Sequence, residues 1–287
     1  MPGAHNFEHL PLLLRYQGKA RLRGGGDPSP QTLANKGARR QEHSVALDTA
    51  AQALSQNWQA RKAQRQAAGL ALPDIPAGIP ILLQIDTGLD LDALRAKFEF
   101  EIVAEQEDGY VIVASEDIQL TAFRNMAQGF AVTVHGSATI AEVHTLFDDP
   151  NQTDRLGRIL SDQLMASWGY IDEDQPYIVD VGVACAGTQE IPPRPVRGKR
   201  ATDAQWAAKE YEWSERRASA YNEWDDIKIE RETSIRKFTE FYQAEILHMR
   251  DSADFDAGVL PDSFTVRLRI SGKGLRDFVL NYPYIFE

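Results

Sequence analysis

The triplet Asp86-Thr87-Gly88 is the short motif of this chain that most suggests chemistry, because it follows the apolar segment 81–85. Aspartic proteases and one class of serine proteases place a catalytic aspartate in such a triplet after a strand. The first class needs a second triplet, in the same chain or in a dimer mate. The second needs a downstream histidine beside small residues and a serine nucleophile segment. The sequence contains no second triplet and no serine nucleophile segment, and we therefore interpret Asp86 as part of a turn that leads into a capped helix.

The other polar residues predict no catalytic, metal or cofactor site. The six histidines are scattered, and no pair lies at a metal-ligand spacing with a cysteine or carboxylate partner. His135 and His144 could meet in space, but we interpret both as surface-loop residues. No nucleophile, base and orienting residue form a recognisable set. An enzymatic function would require a pocket into which polar side chains converge.

The cysteine content and the lack of long apolar runs bear on the cellular compartment. Cys185 is the single cysteine, so the chain forms no internal disulfide and fits a reducing compartment. We interpret it as a small buried residue of a strand. No apolar run approaches the about 20 residues of a membrane span. The sequence therefore predicts a cytoplasmic protein without a membrane partner.

Charge is unevenly distributed along the chain, whose net charge is −11. Residues 1–66 contain ten lysines and arginines against four acidic residues, so the remainder is strongly acidic. An acidic body repels phosphates, which argues against nucleic acid as a partner. The basic residues 1–37 include the run Gly24-Gly25-Gly26 followed by two prolines, and we predict that they form a flexible arm.

Residues 38–78 are predicted to be a helix followed by a proline-rich linker. Leu47, Ala51, Leu54 and Trp58 form a narrow apolar stripe at helical spacing, and Gly69 follows as a stop signal. Prolines at 73, 76 and 80 then mark the linker.

Residues 79–150 are predicted to form a ferredoxin-like unit, which is an α+β sandwich with a four-stranded antiparallel sheet and two helices on one face. Asp108-Gly109 is a strong hairpin signal between two of the strands. The predicted order is strand 81–85, helix 89–98, strand 100–105, strand 110–114, helix 116–128 and strand 131–134.

Residues 151–287 are predicted to form a second α+β unit with a long helical insertion. A helix within 151–175 and a strand at 177–184 precede a basic proline-rich loop. No Gly or Pro interrupts residues 203–250, so we predict one long helix there. Its aromatic residues Trp206, Trp213 and Trp224 either pack on the same chain or dock a partner protein.

The last residues alternate between apolar and polar side chains at 264–270 and predict a strand. A helix at 273–281 and a new apolar strand at Tyr284-Ile285-Phe286 follow. Because a fresh apolar strand leaves an unpaired edge, we expect the chain to be the front part of a longer protein. The second unit would then be truncated at this strand, and Tyr284 and Phe286 become candidate docking residues.

Two segments resemble the N-terminal region of large bacterial subtilisin-like serine proteases (subtilases): IPILLQIDTGLDLDALRAKFEFEIVAEQEDGYVIVAS and FTVRLRISGKGLRDFVLNYPYIFE. The resemblance covers residues 10–287. It implies a prodomain-like region, since subtilase propeptides are ferredoxin-like modules. They pack the open face of the sheet on the protease, and their C-terminal strand leads to its active-site cleft. The family's catalytic Asp, His and Ser segments would all lie beyond residue 287.

The sequence thus favours two ferredoxin-like units without a catalytic site. By resemblance, they would assist folding of a subtilisin-like catalytic domain, in cis or in trans, or inhibit it or gate its substrates. The alternative is a stand-alone adaptor that binds a partner through Trp206, Trp213 and Trp224 on the long helix.

Overall fold

The computed structural model describes residues 30–69, 78–132, 134, 136–185, 187–188, 192–251 and 263–287. As predicted, the fold is α+β, with two antiparallel sheets, an N-terminal helix and a second long helix. Most of the predicted arm 1–37 and most of the proline-rich linker lie outside the described residues.

The N-terminal helix α1 spans Pro30–Ala67 and begins earlier than residue 38, so it includes the last residues of the predicted arm. The predicted stripe of Leu47, Ala51, Leu54 and Trp58 is buried. It joins the apolar core of the first unit, where each side chain at i, i+4, i+7 and i+11 faces inward.

The first unit has the predicted ferredoxin-like order of elements. Its strands pair antiparallel in the order β2-β3-β1-β4. The elements are β1 (Ile79–Ile85), α2 (Leu91–Phe98), β2 (Glu101–Glu105), β3 (Tyr110–Ser115), α3 (Thr121–Ala131) and β4 (Val143–Phe147). The hairpin between β2 and β3 turns at Asp108 and Gly109, which both have positive φ, 59° and 74°.

In this unit, the predicted positions of the second helix and of the fourth strand are wrong. Helix α3 starts at Thr121 because the Asp117 carboxylate accepts hydrogen bonds from the amides of Gln119 and Thr121, which holds a turn before the helix. The fourth strand is β4 and not residues 131–134. Val132 and Val134 are exposed, whereas Val143 and Leu146 of β4 are buried.

The second unit repeats the same topology. Its elements are α4 (Thr153–Ile159), α5 (Asp162–Ser167), β5 (Pro176–Ala184), α6 (Asp203–Phe241), β6 (Glu245–Asp251), β7 (Ser263–Ser271) and α7 (Gly272–Asn281). The sheet order is β5-β7-β6, and Ile285 pairs with Val183 at the other edge of β5. The order β6-β7-β5 followed by residues 284–287 matches the order β2-β3-β1-β4 of the first unit.

The predicted helix 203–250 is too long, and the strand β6 was missed. Helix α6 ends at Phe241, because Gln243 adopts a left-handed conformation with φ 51° and the amide of Ala244 donates to the carbonyl of Thr239. Neither Gly nor Pro marks this end. Helix α6 is therefore the crossover between the first two strands of the unit and not an insertion. The helix predicted within 151–175 is broken at Ser161, whose side chain caps α5.

The two units share an apolar interface. Alternate residues of the first sheet, including Ile81 and Leu83, face α1, α2 and α3 in one core cluster. Leu82, Ile112 and Ala114 face the other way and join the core cluster of the second unit. The second unit therefore covers the face of the first sheet that a lone ferredoxin-like module would leave open.

Candidate interaction surfaces

A buried ion pair lies where the two units meet. Arg231 of α6 donates to both carboxylate oxygens of Glu101 of β2, at 2.6 Å each, and the side chains are 4% and 8% exposed. The guanidinium also donates to the carbonyl of Ala184, and the amide of Gly187 donates to Glu101 at 3.0 Å. The guanidinium carbon lies 3.6 Å from the centre of the Tyr284 ring. This arrangement fixes α6, β5 and the C-terminal segment against the first sheet.

The ion pair forms the floor of a polar cleft of about 380 Å³. Burial would lower the pKa of Arg231, but the charge and hydrogen bonds of Glu101 outweigh burial and raise this pKa. Burial, together with the charge of Glu101, raises the pKa of Glu223 at the rim. Burial also raises the pKa of Tyr284, so its hydroxyl stays protonated.

The cleft offers no constellation for metal binding. Other carboxylates line it, namely Glu99, Glu116, Asp117 and Glu230. Within the part of the chain that the structure describes, no three His, Cys, Asp or Glu side chains are arranged to hold a metal ion. The most buried carboxylate of the cleft, Glu101, is already neutralised by its ion pair with Arg231.

The N-terminal half of α6 contains no buried residue. A capping box of Thr202 and Gln205 starts this helix, and its first buried residue is Ala220. At 1.5 Å per residue, the exposed half is roughly 25 Å long. We call residues 203–219 the helical arm. Trp206 of the arm is half-buried, and Tyr211 is 67% exposed.

Trp213 is held by the basic proline-rich loop of its own chain. Its indole N–H donates to the carbonyl of Pro192 at 2.8 Å. The guanidinium groups of Arg194 and Arg217 lie 5.8 and 5.4 Å from the centre of the ring. Trp224, nearer the body, is half-buried. Trp213 therefore packs on its own chain, whereas Tyr211 of the same helix is exposed.

The structure does not bring the five candidate docking residues together. Tyr284 is 2% exposed and belongs to the core. Phe286 is half-buried and lies across Gly182 on the outer face of the second sheet. Only Trp206, Trp213 and Trp224 share one element.

The outer face of the second sheet, defined here by Ile178, Asp180, Glu245, Arg267 and Arg269, is open. Arg267 pairs with Asp180 at 2.6 Å, and Arg269 pairs with Glu245 at 2.7 Å, across neighbouring strands. All four side chains are about half exposed, and Ile178 is 59% exposed. This face was not predicted from the sequence, although the alternation of Thr265, Arg267 and Arg269 with apolar residues along β7 indicates a polar, solvent-facing side of the strand.

The Asp86 triplet forms a turn in the structure. The Asp86 carboxylate accepts from the amide of Gly88 at 2.8 Å, and the amide of Leu89 donates to the Asp86 carbonyl. The following helix α2 is capped by Asp90. Among the other residues considered, a ring nitrogen of His43 bonds to the carbonyl of Ile140, Cys185 is buried, and His135 lies outside the described residues.

No family model, no curated protein and no solved structure matches this chain. In addition, none of the helices in the described ranges is long and apolar enough to cross a bilayer.

Proposed function

We propose that this chain is a prodomain-like region that binds a subtilisin-like serine protease domain, assisting its folding, inhibiting it or gating its substrates. The open face of the second sheet is the observation that supports this proposal. Subtilase propeptides dock through such a face of a ferredoxin-like sheet. In the first sheet this face is covered by the second unit, whereas in the second sheet it is open. The lone cysteine is consistent with a cytoplasmic location.

The docking face combines two charged pairs, whose arginines lie on the central strand β7, with apolar side chains at its β5 edge. Ile178 is the exposed apolar residue, and Phe286 lies on the same side of the sheet beside Gly182. The two cross-strand ion pairs keep the face solvated in the free chain, and they are exposed enough to exchange partners at low cost. A protein surface with complementary charges can therefore replace these intramolecular partners on binding.

Titration of a subtilisin-like catalytic domain with this chain tests the proposal. A separately produced subtilisin-like catalytic domain should show saturable inhibition or an increased yield of refolding. The variant Arg267→Ala/Arg269→Ala should weaken the effect at least about tenfold, as loss of central interface charges does. Trp206→Ala/Tyr211→Ala on the helical arm serves as the matched control and should leave it unchanged. A catalytic domain that neither responds to the chain nor forms a complex with it would contradict the proposal.

The helical arm supports a second candidate, an adaptor that binds a partner protein through α6. Tyr211 is mostly exposed and Trp206 is half-buried on a helix half that buries no residue in the core. The two variants above also test this candidate. Partner binding that is lost with Trp206→Ala/Tyr211→Ala and retained with Arg267→Ala/Arg269→Ala identifies an adaptor.

A further inference from the structure

Five carboxylates of the polar cleft have no cationic partner within the described residues. Arg231 is the one basic residue among those that line the cleft, and Glu101 already balances its charge. The other acidic side chains come from the end of α2, from the loop after β3 and from α6. They are Glu99, Glu116, Asp117, Glu223 and Glu230. Because like charges around one cleft repel, the free chain carries an uncompensated negative charge between its two units.

The hydroxyl of Tyr284 is a second polar group of the cleft that lacks a partner. Tyr284 is 2% exposed and lines the cleft, but its hydroxyl forms no hydrogen bond with any described residue. Burial raises the pKa of this hydroxyl most, and the charges of Glu101, Glu116 and Glu230 raise it further, so the hydroxyl lies near these carboxylates. A buried hydroxyl without a hydrogen bond is unfavourable. Its oxygen is therefore available to a donor that enters the cleft.

The α6 side of the cleft presents its charges in a row. Glu223, Ile227 and Glu230 follow one another at i, i+4 and i+7, so they lie on one face of the helix. The two glutamates are separated by roughly 10 Å along the helix axis, at 1.5 Å per residue. Burial, followed by the charge of Glu101, raises the pKa of Glu223, as is expected for a carboxylate without a cation beside it. The row matches a ligand with cationic groups at both ends of an aliphatic stretch.

A single inorganic ion does not fit this arrangement. No three acidic side chains within the described ranges are arranged to hold a metal ion, and one ammonium group would leave most of the carboxylates unpaired. The cleft of about 380 Å³ is in the size range of small-molecule sites. The chain supplies no cation from the segments that adjoin Gly78 and Thr188 in sequence, since residues 70–77 and 189–191 contain no lysine or arginine.

We propose that the polar cleft binds a linear aliphatic polyamine, a flexible chain with several protonated amino groups. Its ammonium groups pair with Glu223 and Glu230 on α6 and with Glu116 of the first unit. Its methylene groups pack on Ile227, and one N–H donates to the hydroxyl oxygen of Tyr284. Because the carboxylates belong to both units, the bound polyamine links the units. The inference is independent of the proposed function, since no residue of the cleft lies on the outer face of the second sheet.

Isothermal titration calorimetry of the full chain with spermidine, at low salt, measures this binding. We expect one saturable site. The diol 1,8-octanediol, which has a similar length and no charge, should not bind. The compound N-acetyl-lysine methylamide offers one ammonium group, as a lysine of a partner protein would. It should bind at least about tenfold more weakly than spermidine, because it pairs with fewer carboxylates.

Two matched double variants separate the site from general charge attraction. Glu223→Gln/Glu230→Gln should weaken spermidine binding at least about tenfold. Glu212→Gln/Glu215→Gln removes the same charge from exposed positions of α6 that do not line the cleft, and should bind like the wild type. Tyr284→Phe removes only the hydroxyl without a partner, and should weaken binding about threefold.

Three results would overturn the proposal. The first is a wild-type chain that shows no saturable binding of spermidine. If binding then appeared in the variant Arg15→Ala/Lys19→Ala/Arg21→Ala/Arg23→Ala, the cleft would belong to the basic N-terminal residues of the same chain. The second is equal weakening by both double variants, which would show attraction to the acidic protein as a whole. The third is binding of N-acetyl-lysine methylamide as tight as that of spermidine. The comparison of ligands uses the unmodified protein, so it remains decisive if a variant does not fold.

Discussion

At the scale of single residues, one buried ion pair reinforces the apolar contact between the units. Arg231 and Glu101 are almost fully buried, and each has a further backbone partner, Ala184 or Gly187. Removing two charges from water is costly, and this cost is offset only when hydrogen bonds satisfy both groups, as they do here. Breaking the pair from one side leaves a buried charge without its partner.

We expect Arg231→Met to destabilise the protein by about 3–5 kcal/mol, because Glu101 would remain buried and unpaired. The double variant Glu101→Leu/Arg231→Met should be clearly more stable than Arg231→Met, since both charges are then absent. Urea unfolding of the wild-type protein and the three variants, Glu101→Leu included, gives the free energies. Equal destabilisation by the single and double variants would show that the charges are not coupled.

At the scale of elements, the C-terminal segment is an integral part of the second sheet. It makes three backbone hydrogen bonds with Gly182 and Ala184 of β5. The absence of a side chain at Gly182 lets Phe286 lie directly on the strand, since a Cβ there would be 2.6 Å from the ring. Tyr284-Ile285-Phe286 therefore pairs with β5 at the edge of the sheet, and its first two residues belong to the core.

Gly182→Ala should displace the Phe286 ring and lower the free energy of unfolding by about 1–3 kcal/mol, the usual cost of overpacking. Hydrogen exchange of the Gly182, Ala184 and Phe286 amides should accelerate. Phe286→Ala added to Gly182→Ala should recover part of the loss, because it removes the clash. If the destabilisation by the two substitutions were strictly additive, the contact between residue 182 and the Phe286 ring would not be the cause of the lost stability.

At the scale of the whole molecule, helix α1 joins the two units. Its apolar stripe belongs to the core of the first unit, whereas Arg61 and Arg65 reach α7 of the second. Arg65 forms two hydrogen bonds with Asp277, at 2.7 and 2.6 Å. Arg61 donates to the carbonyl of Leu280, and Arg155 of α4 donates to those of Val279 and Tyr282. Basic side chains thus satisfy carbonyls that helix α7 leaves unpaired at its C-terminus, and their positive charge interacts favourably with the helix dipole.

A double-mutant cycle on Arg65→Ala and Asp277→Ala should give a coupling energy of about 1–2 kcal/mol, because the pair is bidentate and mostly buried. As a control, the same cycle on Arg267 and Asp180, an equally short but exposed pair, should give less than about 1 kcal/mol. Urea unfolding measures both cycles. If the two cycles gave equal energies, burial would not distinguish the pairs, and α1 would contribute no specific link between the units.

Features that depend on neighbours along the chain could be predicted from the residues alone. The apolar stripe from Leu47 to Trp58, the turn at Asp108 and Gly109 and the alternation along β7 follow from local periodicity and turn chemistry, and the two-unit α+β fold follows from their order. Three-dimensional packing sets the end of α6, because the left-handed residue there is Gln243 and neither Gly nor Pro. It also determines the partner of Glu101 and the covered face of the first sheet. These contacts join residues far apart in sequence, and local patterns do not specify which surfaces meet in space.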